Sequence, residues 1–293
     1  AAKAKGKSGY QVFDAEMHRR AFNTLKLETD LRLAVERQEF NVHYQPIMAL
    51  GTNTIAGFEA LVRWCHPHTG MVAPDRFIAI AEEIGLIFDI DLWVLSRACQ
   101  QFRLWQQQNL VQAPSRISIN FSAKQFSRPD LVNQIDRVLQ DADLDGQSLN
   151  LEITESCILE NKAVAVDILR QLKDRRIHLA LDDFGTGYCS MKYLHQMPID
   201  ALKIDRSFVS TMGENLDNLK IVQSMLTLAS SLGIQVVAEG VETEQQCQQL
   251  QDLGCEFAQG YLFAIPLDSN SALKFMQQQA NAKYVSCQDP MSA

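Results

Sequence analysis

The sequence predicts an α/β fold, and three observations carry that reading. Eight short apolar runs alternate with amphipathic helical stretches: Phe40–Ile47, Ile55–Arg63, Arg116–Phe121, Leu149–Thr154, His178–Asp183, Ala201–Asp205, Gln235–Glu239 and Phe257–Phe263. Strands alternating with helices imply parallel pairing with crossover helices, and eight of them in a chain of 293 residues suggest closure into a TIM-like (β/α)8 barrel. The first two runs are joined only by Gly51-Thr52-Asn53-Thr54. That link is too short for a crossover helix, so the first strand should pair antiparallel to the second. The alternative, an open doubly wound sheet, lacks the Gly-rich turn expected after its first strand.

The elements follow in order. Ala1 to Tyr10 is small, basic and unlike the rest. Asp14 to Gln38 reads as a helix, with Leu27, Leu31, Ala34 and Val35 on one face of a 3.6-residue period and Glu28, Asp30 and Arg32 off it. Between the later strands, Ala165, Ile168, Leu169 and Leu172 form one buried helical stripe, and Val222, Met225, Leu226 and Ala229 another. Residues 281–293 are polar, contain proline and show no period, which reads as a loose tail.

Composition narrows the class. Hydrophobic content of 46% and charged content of 21% are ordinary for a globular chain that can bury a core without staples. The sequence shows no apolar run of the ~20 residues that a membrane helix needs and no charged-then-apolar leader. Seven cysteines, an odd number, are scattered without a C-x-x-C pair. They read as core or surface thiols in a reducing cytoplasm. A net charge of -8 disfavours a DNA-binding protein. An anionic ligand remains compatible if the acidic groups gather around metal ions, which reverse the local sign.

What ends each strand points to chemistry. The second strand carries Glu59, the third Asn120 and the fourth Glu152, with Glu155 just beyond. The fifth ends in Asp182-Asp183, the sixth carries Lys203 and Asp205, the seventh ends in Glu239 with Glu242 nearby, and the eighth contains Gln259. Barrel enzymes place their reacting groups at the C-terminal ends of strands. Singly, each of these residues reads as a solvated loop group or a surface salt bridge. Together, one polar group on each successive strand, they describe a site. Carboxylates converging there would repel one another without a positive partner. Oxygen ligands without His or Cys favour Mg²⁺ or Mn²⁺ over Zn²⁺, and an adjacent Asp-Asp pair suits two ions, the usual clamp for displacement at phosphorus. From the residues alone this is a metal-assisted hydrolase of unnamed substrate.

The motifs add a family. Tyr44-Gln45-Pro46-Ile47, Glu59-Ala60-Leu61-Val62-Arg63-Trp64, Asn120-Phe121-Ser122, Glu152-Ile153-Thr154-Glu155, Asp182 through Tyr188, Lys203-Ile204-Asp205, Glu239-Gly240-Val241-Glu242-Thr243 and Gln259-Gly260-Tyr261 stand in this order. Together they resemble the EAL family of cyclic di-GMP phosphodiesterases from Leu27 to Met276. The resemblance implies a barrel with an antiparallel first strand. It also implies hydrolysis of cyclic di-GMP to linear 5′-pGpG by two-metal-assisted attack of water on phosphorus. It implies Glu59, Asn120, Glu152 and Asp182 as ligands of a first metal, with Asp182 and Asp183 reaching a second. Glu239 is either a second-metal ligand or the general base. Lys203 orients the attacking water or steadies developing charge. Gln45, Arg63, Asp205 and Gln259 are substrate contacts, and Glu155 and Glu242 support the loop after the fifth strand. The departures are Cys189, where serine is frequent, and Ile265, where a basic residue is frequent.

The opening run through Val12-Phe13 resembles the end of a GGDEF (diguanylate cyclase) domain. The expected division is therefore 1–26 as the remnant of an upstream GGDEF domain with a linker helix, 27–280 as the barrel and 281–293 as a tail. A sensory domain is another upstream partner, and the full-length protein could be membrane-anchored. The resemblance also implies a homodimer. The competing expectation is a non-catalytic cyclic di-GMP receptor, which typically loses a metal carboxylate or the lysine; this sequence keeps both.

Overall fold

A computed structural model describes residues 15–108, 114–154, 157, 162–186, 194, 197–213 and 215–286. The chain divides into two compact units, one of residues 1–41 and 63–87, the other of 42–62 and 88–293.

In the first unit, helix α1 (Ala15–Glu36) packs against α2 (Pro74–Ile84). Leu31 and Ala34, two of the predicted facing residues, are fully buried. Pro74 opens α2, where its missing N–H costs nothing, and Gly85 ends it at φ 77, a left-handed angle that glycine adopts without strain. Phe40, Trp64 and Phe77 pack in tilted and edge-on pairs with ring centroids 5.7–6.1 Å apart, and Trp64 Nε1 donates to Glu39 Oε2 at 3.0 Å. A three-residue strand, β3 (Gly70–Val72), pairs antiparallel with the end of β2 (Thr54–His66). It is too short for a periodic signal in the sequence.

The second unit is the barrel. Its strands are β1 (Phe40–Ala49, largely in this unit), β2, β4 (Arg116–Phe121), β5 (Leu149–Thr154), β6 (His178–Phe184), β7 (Ala201–Ile204), β8 (Gln235–Ala238) and β9 (Phe257–Ala258). They pair in the ring β1-β9-β8-β7-β6-β5-β4-β2, which closes because β1 also pairs with β2. β2 and β4 to β9 run parallel to their neighbours, whereas β1 meets β9 antiparallel, Met48 opposite Ala258. The predicted fold, including the reversed first strand, is the observed one.

Crossover helices cover the outside. They include α3 (Ile87–Gln107), α4 (Leu131–Asp141), α5 (Lys162–Asp174), α7 (Leu216–Leu232) and α8 (Glu244–Asp252), with the short α6 (Arg206–Val209) after β7 and α9 (Ser269–Ser286) at the end. All four residues of the predicted stripe on α5 are buried, as are Val222, Leu226 and Ala229 on α7. Two elements differ from the sequence reading. β9 is two residues long, so Gln259 follows the strand instead of lying within it. Helix α9 continues past Ala280, because Ala280, Ala282 and Lys283 are good helix formers.

The period of two along the strands sorts the core from the site. Ile117, Ile119 and Phe121, Leu149, Leu151 and Ile153, and Leu202 and Ile204 alternate with Ser118, Asn120, Asn150, Glu152 and Lys203. In register, Ser118 stands opposite Asn150, Asn120 opposite Glu152, and Thr154 opposite Asp182. The polar set therefore shares one face of the sheet, and the apolar set shares the other.

Candidate active site

Lys203 organises the site. Its ammonium lies 2.5 Å from Glu152, 2.6 Å from Glu239, 3.3 Å from Asp182 and 3.6 Å from Glu59, and its side chain is 1% exposed. A buried cation is costly unless paired, and here four carboxylates pair it. Burial works against the ammonium, but Asp182, Glu152, Glu239 and Glu59 overcome it and hold the lysine pKa well above its usual range.

The carboxylates split in their proton affinity. Burial would raise Glu59, yet Lys203 and hydrogen bonds from Gln259 and Asn120 outweigh it, so its pKa falls below the ordinary value. Burial drives Glu152 well above the carboxylate range, with Lys203 opposing and Glu59 and Asp182 adding. Burial likewise lifts Glu239 to about 7, against the pull of Lys203. One ammonium cannot neutralise so many carboxylates, and the remainder of the balance falls to protons or to a bound cation.

Amides fix Glu59 from both sides. Asn120 Nδ2 donates to one oxygen at 2.6 Å and Gln259 Nε2 to the other at 2.6 Å. That leaves the Asn120 carbonyl oxygen as its atom for a cation. Gln259 Nε2 also reaches Gln45 Oε1 at 3.0 Å, and Gln45 Nε2 donates to the Ala264 carbonyl at 3.1 Å. The Gln259 side-chain oxygen Oε1 is buried and has no hydrogen-bond partner among the described residues. Deeper in the barrel, Asn150 links Ser118 Oγ at 2.8 Å to Glu152 at 3.4 Å.

The adjacent pair Asp182-Asp183 poses a geometric problem. Successive side chains of a regular strand point to opposite faces. The structure solves it with a register shift in the β6–β7 pairing between Leu181 and Phe184 and with Asp183 at φ 53. A bulge of this kind re-aims a side chain at a sheet end. Asp182, Asp183 and Glu239 each then offer an oxygen within 4.8 Å of the others, an acidic group that could hold a metal ion. All donors are oxygen, which suits a hard divalent cation.

A cleft of about 190 Å³ opens beside this cluster, lined among others by Gln45, Glu59, Leu61, Glu239 and Gln259. Gly240 and Gly260 line it too. A Cβ on Gly260 would meet the Val241 backbone at 2.1–2.7 Å, so only glycine fits there. Gly240 has φ 69, and a Cβ on it would meet the Arg206 Cβ at 2.4 Å.

The structure thus brings together Glu59, Glu152, Asp182, Asp183, Lys203 and Glu239, with Asn120, Gln259 and Gln45 attached through Glu59. Asp205 is engaged elsewhere. Its carboxylate caps α6, accepting from Ser207 N at 3.0 Å and Ser207 Oγ at 2.5 Å. Glu242 is exposed and lines the cleft, while its backbone N–H donates to Gln246 Oε1 at 2.8 Å at the start of α8. Arg63 is half-buried on β2 and belongs to the first unit. Glu155 and Cys189 lie outside the described residues. Two features were missed in the sequence: the bulge at Asp182-Asp183, signalled only by the glycine that follows at position 185, and Arg206 beside Gly240, signalled by neither spacing nor period.

None of the described cysteines 65, 99, 157, 247 and 255 is in a disulfide, and burial pushes the Cys99 and Cys255 thiols up to about 12. No helix among the described residues is long and apolar enough to cross a membrane.

Comparison with known proteins agrees with this arrangement. The EAL domain family model matches residues 28–266. The cyclic di-GMP phosphodiesterase NbdA of Pseudomonas aeruginosa is 39% identical over 279 residues, 94% of this chain and 35% of NbdA. The bifunctional diguanylate cyclase/cyclic di-GMP phosphodiesterase MucR of the same organism is 39% identical over 272 residues, 93% of this chain and 39% of MucR. The chain therefore spans well under half the length of these two relatives. A solved structure of the PaMucR phosphodiesterase in complex with c-di-GMP superposes with a TM-score of 0.80 at 39% identity, over 84% of this chain and 99% of that one. The chain belongs to the EAL domain family.

Proposed function

We propose that this chain is a metal-dependent phosphodiesterase that opens cyclic di-GMP to linear 5′-pGpG. The observation that carries the proposal is Lys203, buried among four carboxylates that four other strands or strand ends deliver to one face of a parallel barrel. Such a cluster contributes little to stability for its burial cost, and strongly displaced pKa values of this kind mark functional sites. The names of NbdA and MucR, and the ligand in the PaMucR complex, support cyclic di-GMP as the substrate.

Mg²⁺ or Mn²⁺, two ions when bound, would lower the pKa of water and draw charge from the phosphoryl oxygens. Glu59, Asn120, Glu152 and Asp182 are the residues assigned to hold one ion, and Asp182, Asp183 and Glu239 the other. The place of Glu239 in the group with Asp182 and Asp183 favours the ligand role over the base role. Lys203 orients the attacking water and steadies the negative charge that grows at phosphorus. Gln45 and Gln259 hold the substrate, and the unpartnered Gln259 side-chain oxygen Oε1 supplies an acceptor. Asp205 acts indirectly, as the cap that sets the geometry of α6.

The proposal extends to residues 1–26 as the end of an upstream domain, in keeping with the cyclase named in MucR, to a homodimer and to a cytoplasmic site of action. Chromatography of the product from cyclic di-GMP, with Mg²⁺, with Mn²⁺ and with a chelator, tests the activity. Binding of cyclic di-GMP without any linear product in either metal would replace the enzyme with a receptor.

A further inference from the structure

Arg206 is the feature of the cleft that the proposed function leaves unused. It follows Asp205 at the start of α6 and is exposed. It is the one cation among the described residues that line the cleft, where the other charged groups are Glu59, Glu239 and Glu242. No ion pair among the described residues engages it, whereas Lys203 is fully occupied by carboxylates in the cluster beside the cleft.

Its placement is built. The Asp205 side chain caps α6 through Ser207 N and Ser207 Oγ, which fixes the backbone on one side of Arg206. On the other side, the Arg206 Cα and Cβ occupy the space that a side chain on residue 240 would need. They would lie 3.2 and 2.4 Å from a Cβ there. Gly240, in the left-handed region at φ 69, directly follows Glu239. The stem of the arginine therefore seats against the backbone of the residue next to the acidic cluster, and its charged end stays exposed along the cleft.

A cyclic dinucleotide carries two phosphodiesters. On the reading of the function above, one is consumed at the metal-holding cluster, and the other enters a cleft whose lining is otherwise acidic. We propose that Arg206 binds the phosphodiester that is not cleaved, as a substrate-binding residue that recognises the second charge of a cyclic dinucleotide. Because that phosphate does not react, the contact is the same before and during the reaction and acts on binding alone.

The test compares wild type with Arg206→Met, which keeps an apolar stem against Gly240, and Arg206→Lys, which keeps the charge without the fork. Steady-state kinetics with cyclic di-GMP in Mg²⁺ and calorimetry of cyclic di-GMP in Ca²⁺ are run alongside thermal unfolding. Arg206→Met should raise KM and Kd roughly 10- to 100-fold, the range for a hydrogen bond to a charged group. It should leave kcat within about threefold and the unfolding temperature unchanged, and its loss of binding should shrink at high salt. Arg206→Lys should recover part of the loss. Unchanged KM and Kd in Arg206→Met, beside an active wild type, would overturn the assignment and leave the phosphodiesterase reading intact. Unchanged KM with weaker inhibition by linear 5′-pGpG would place the residue on the product's terminal phosphate and overturn it as well. A wild type that neither binds nor cleaves cyclic di-GMP would remove both readings.

Discussion

Replacing Lys203 by methionine keeps the volume of the side chain and removes the one cation among the described residues that forms ion pairs with Glu59, Glu152, Asp182 and Glu239. At an effective dielectric of about 20, contacts at 2.5–3.6 Å are each worth about 4–7 kcal/mol before burial costs. Desolvation consumes most of that sum, and breaking a buried pair typically costs about 3–5 kcal/mol. The loss should depend on pH. Glu152 and Glu239 take up protons readily because burial has raised their pKa values, the latter to about 7. Protonated carboxylates need no lysine, so the destabilisation should be smaller near pH 5, where Glu59 still carries its charge, than above pH 7. Mg²⁺ should restore part of it by supplying the missing charge. Turnover should fall about 10²–10³-fold, as for loss of a preorganised charge-stabilising donor, with KM within a few-fold. Urea unfolding at both pH values, with and without Mg²⁺, and steady-state kinetics measure these quantities. Equal stability loss at the two pH values, or turnover within threefold of wild type, would refute the account of Lys203 as counter-ion and charge stabiliser.

Activity should require Mg²⁺ or Mn²⁺ and disappear in chelator, while Ca²⁺ should bind with little turnover because it tolerates looser geometry; full turnover in metal-free protein would end the two-metal reading. Metal affinity should rise with pH through about 7, because Glu239 must lose its proton to bind a cation and Glu152 is raised as well; calorimetry in buffers of different ionisation enthalpy should show protons released on binding at pH 6. In the metal-free protein Glu239, its pKa raised from 4.5, should lower stability as pH rises from about 4.5 to about 7, with no further loss from this group above that. Gly260→Ala should destabilise by about 1–3 kcal/mol or more and lower the melting temperature, since the added methyl would meet the Val241 backbone; an unchanged melting temperature would show that the turn has room to move.

Much of this was legible in the sequence for one physical reason. A polar residue inside an apolar strand must be paired, so Glu59, Glu152 and Lys203 each announced a partner before any partner was known. The antiparallel first strand was equally legible, because a link as short as Gly51-Thr52-Asn53-Thr54 admits no crossover helix. The rest depends on backbone detail that composition does not encode. Adjacent aspartates on a regular strand would diverge, and only the bulge with Asp183 at φ 53 lets both serve one side. Asp205 looked like a strand-end ligand contact because β7 was read one residue too long; it is the cap of the next helix. Arg206 carries no periodic signal, and it gains meaning only from its contact with Gly240 across a gap in the sequence that no local pattern spans.

The closing of the ring by its first strand has a consequence for how the molecule is made. Gln45 and Gln259, joined by a hydrogen bond, stand 214 residues apart, and Glu59 meets the same Gln259 across 200. Contacts of such separation form late, since the loop they close is long and nothing rewards it until both ends are present. During synthesis β1 and β2 can form their hairpin early, yet the outer edge of β1 stays unpaired until Phe257 and Ala258 have been made. Until those two residues emerge, the nascent barrel therefore presents an open strand edge to its surroundings, and the amide chain that orients Glu59 is assembled only once Gln259 has been made.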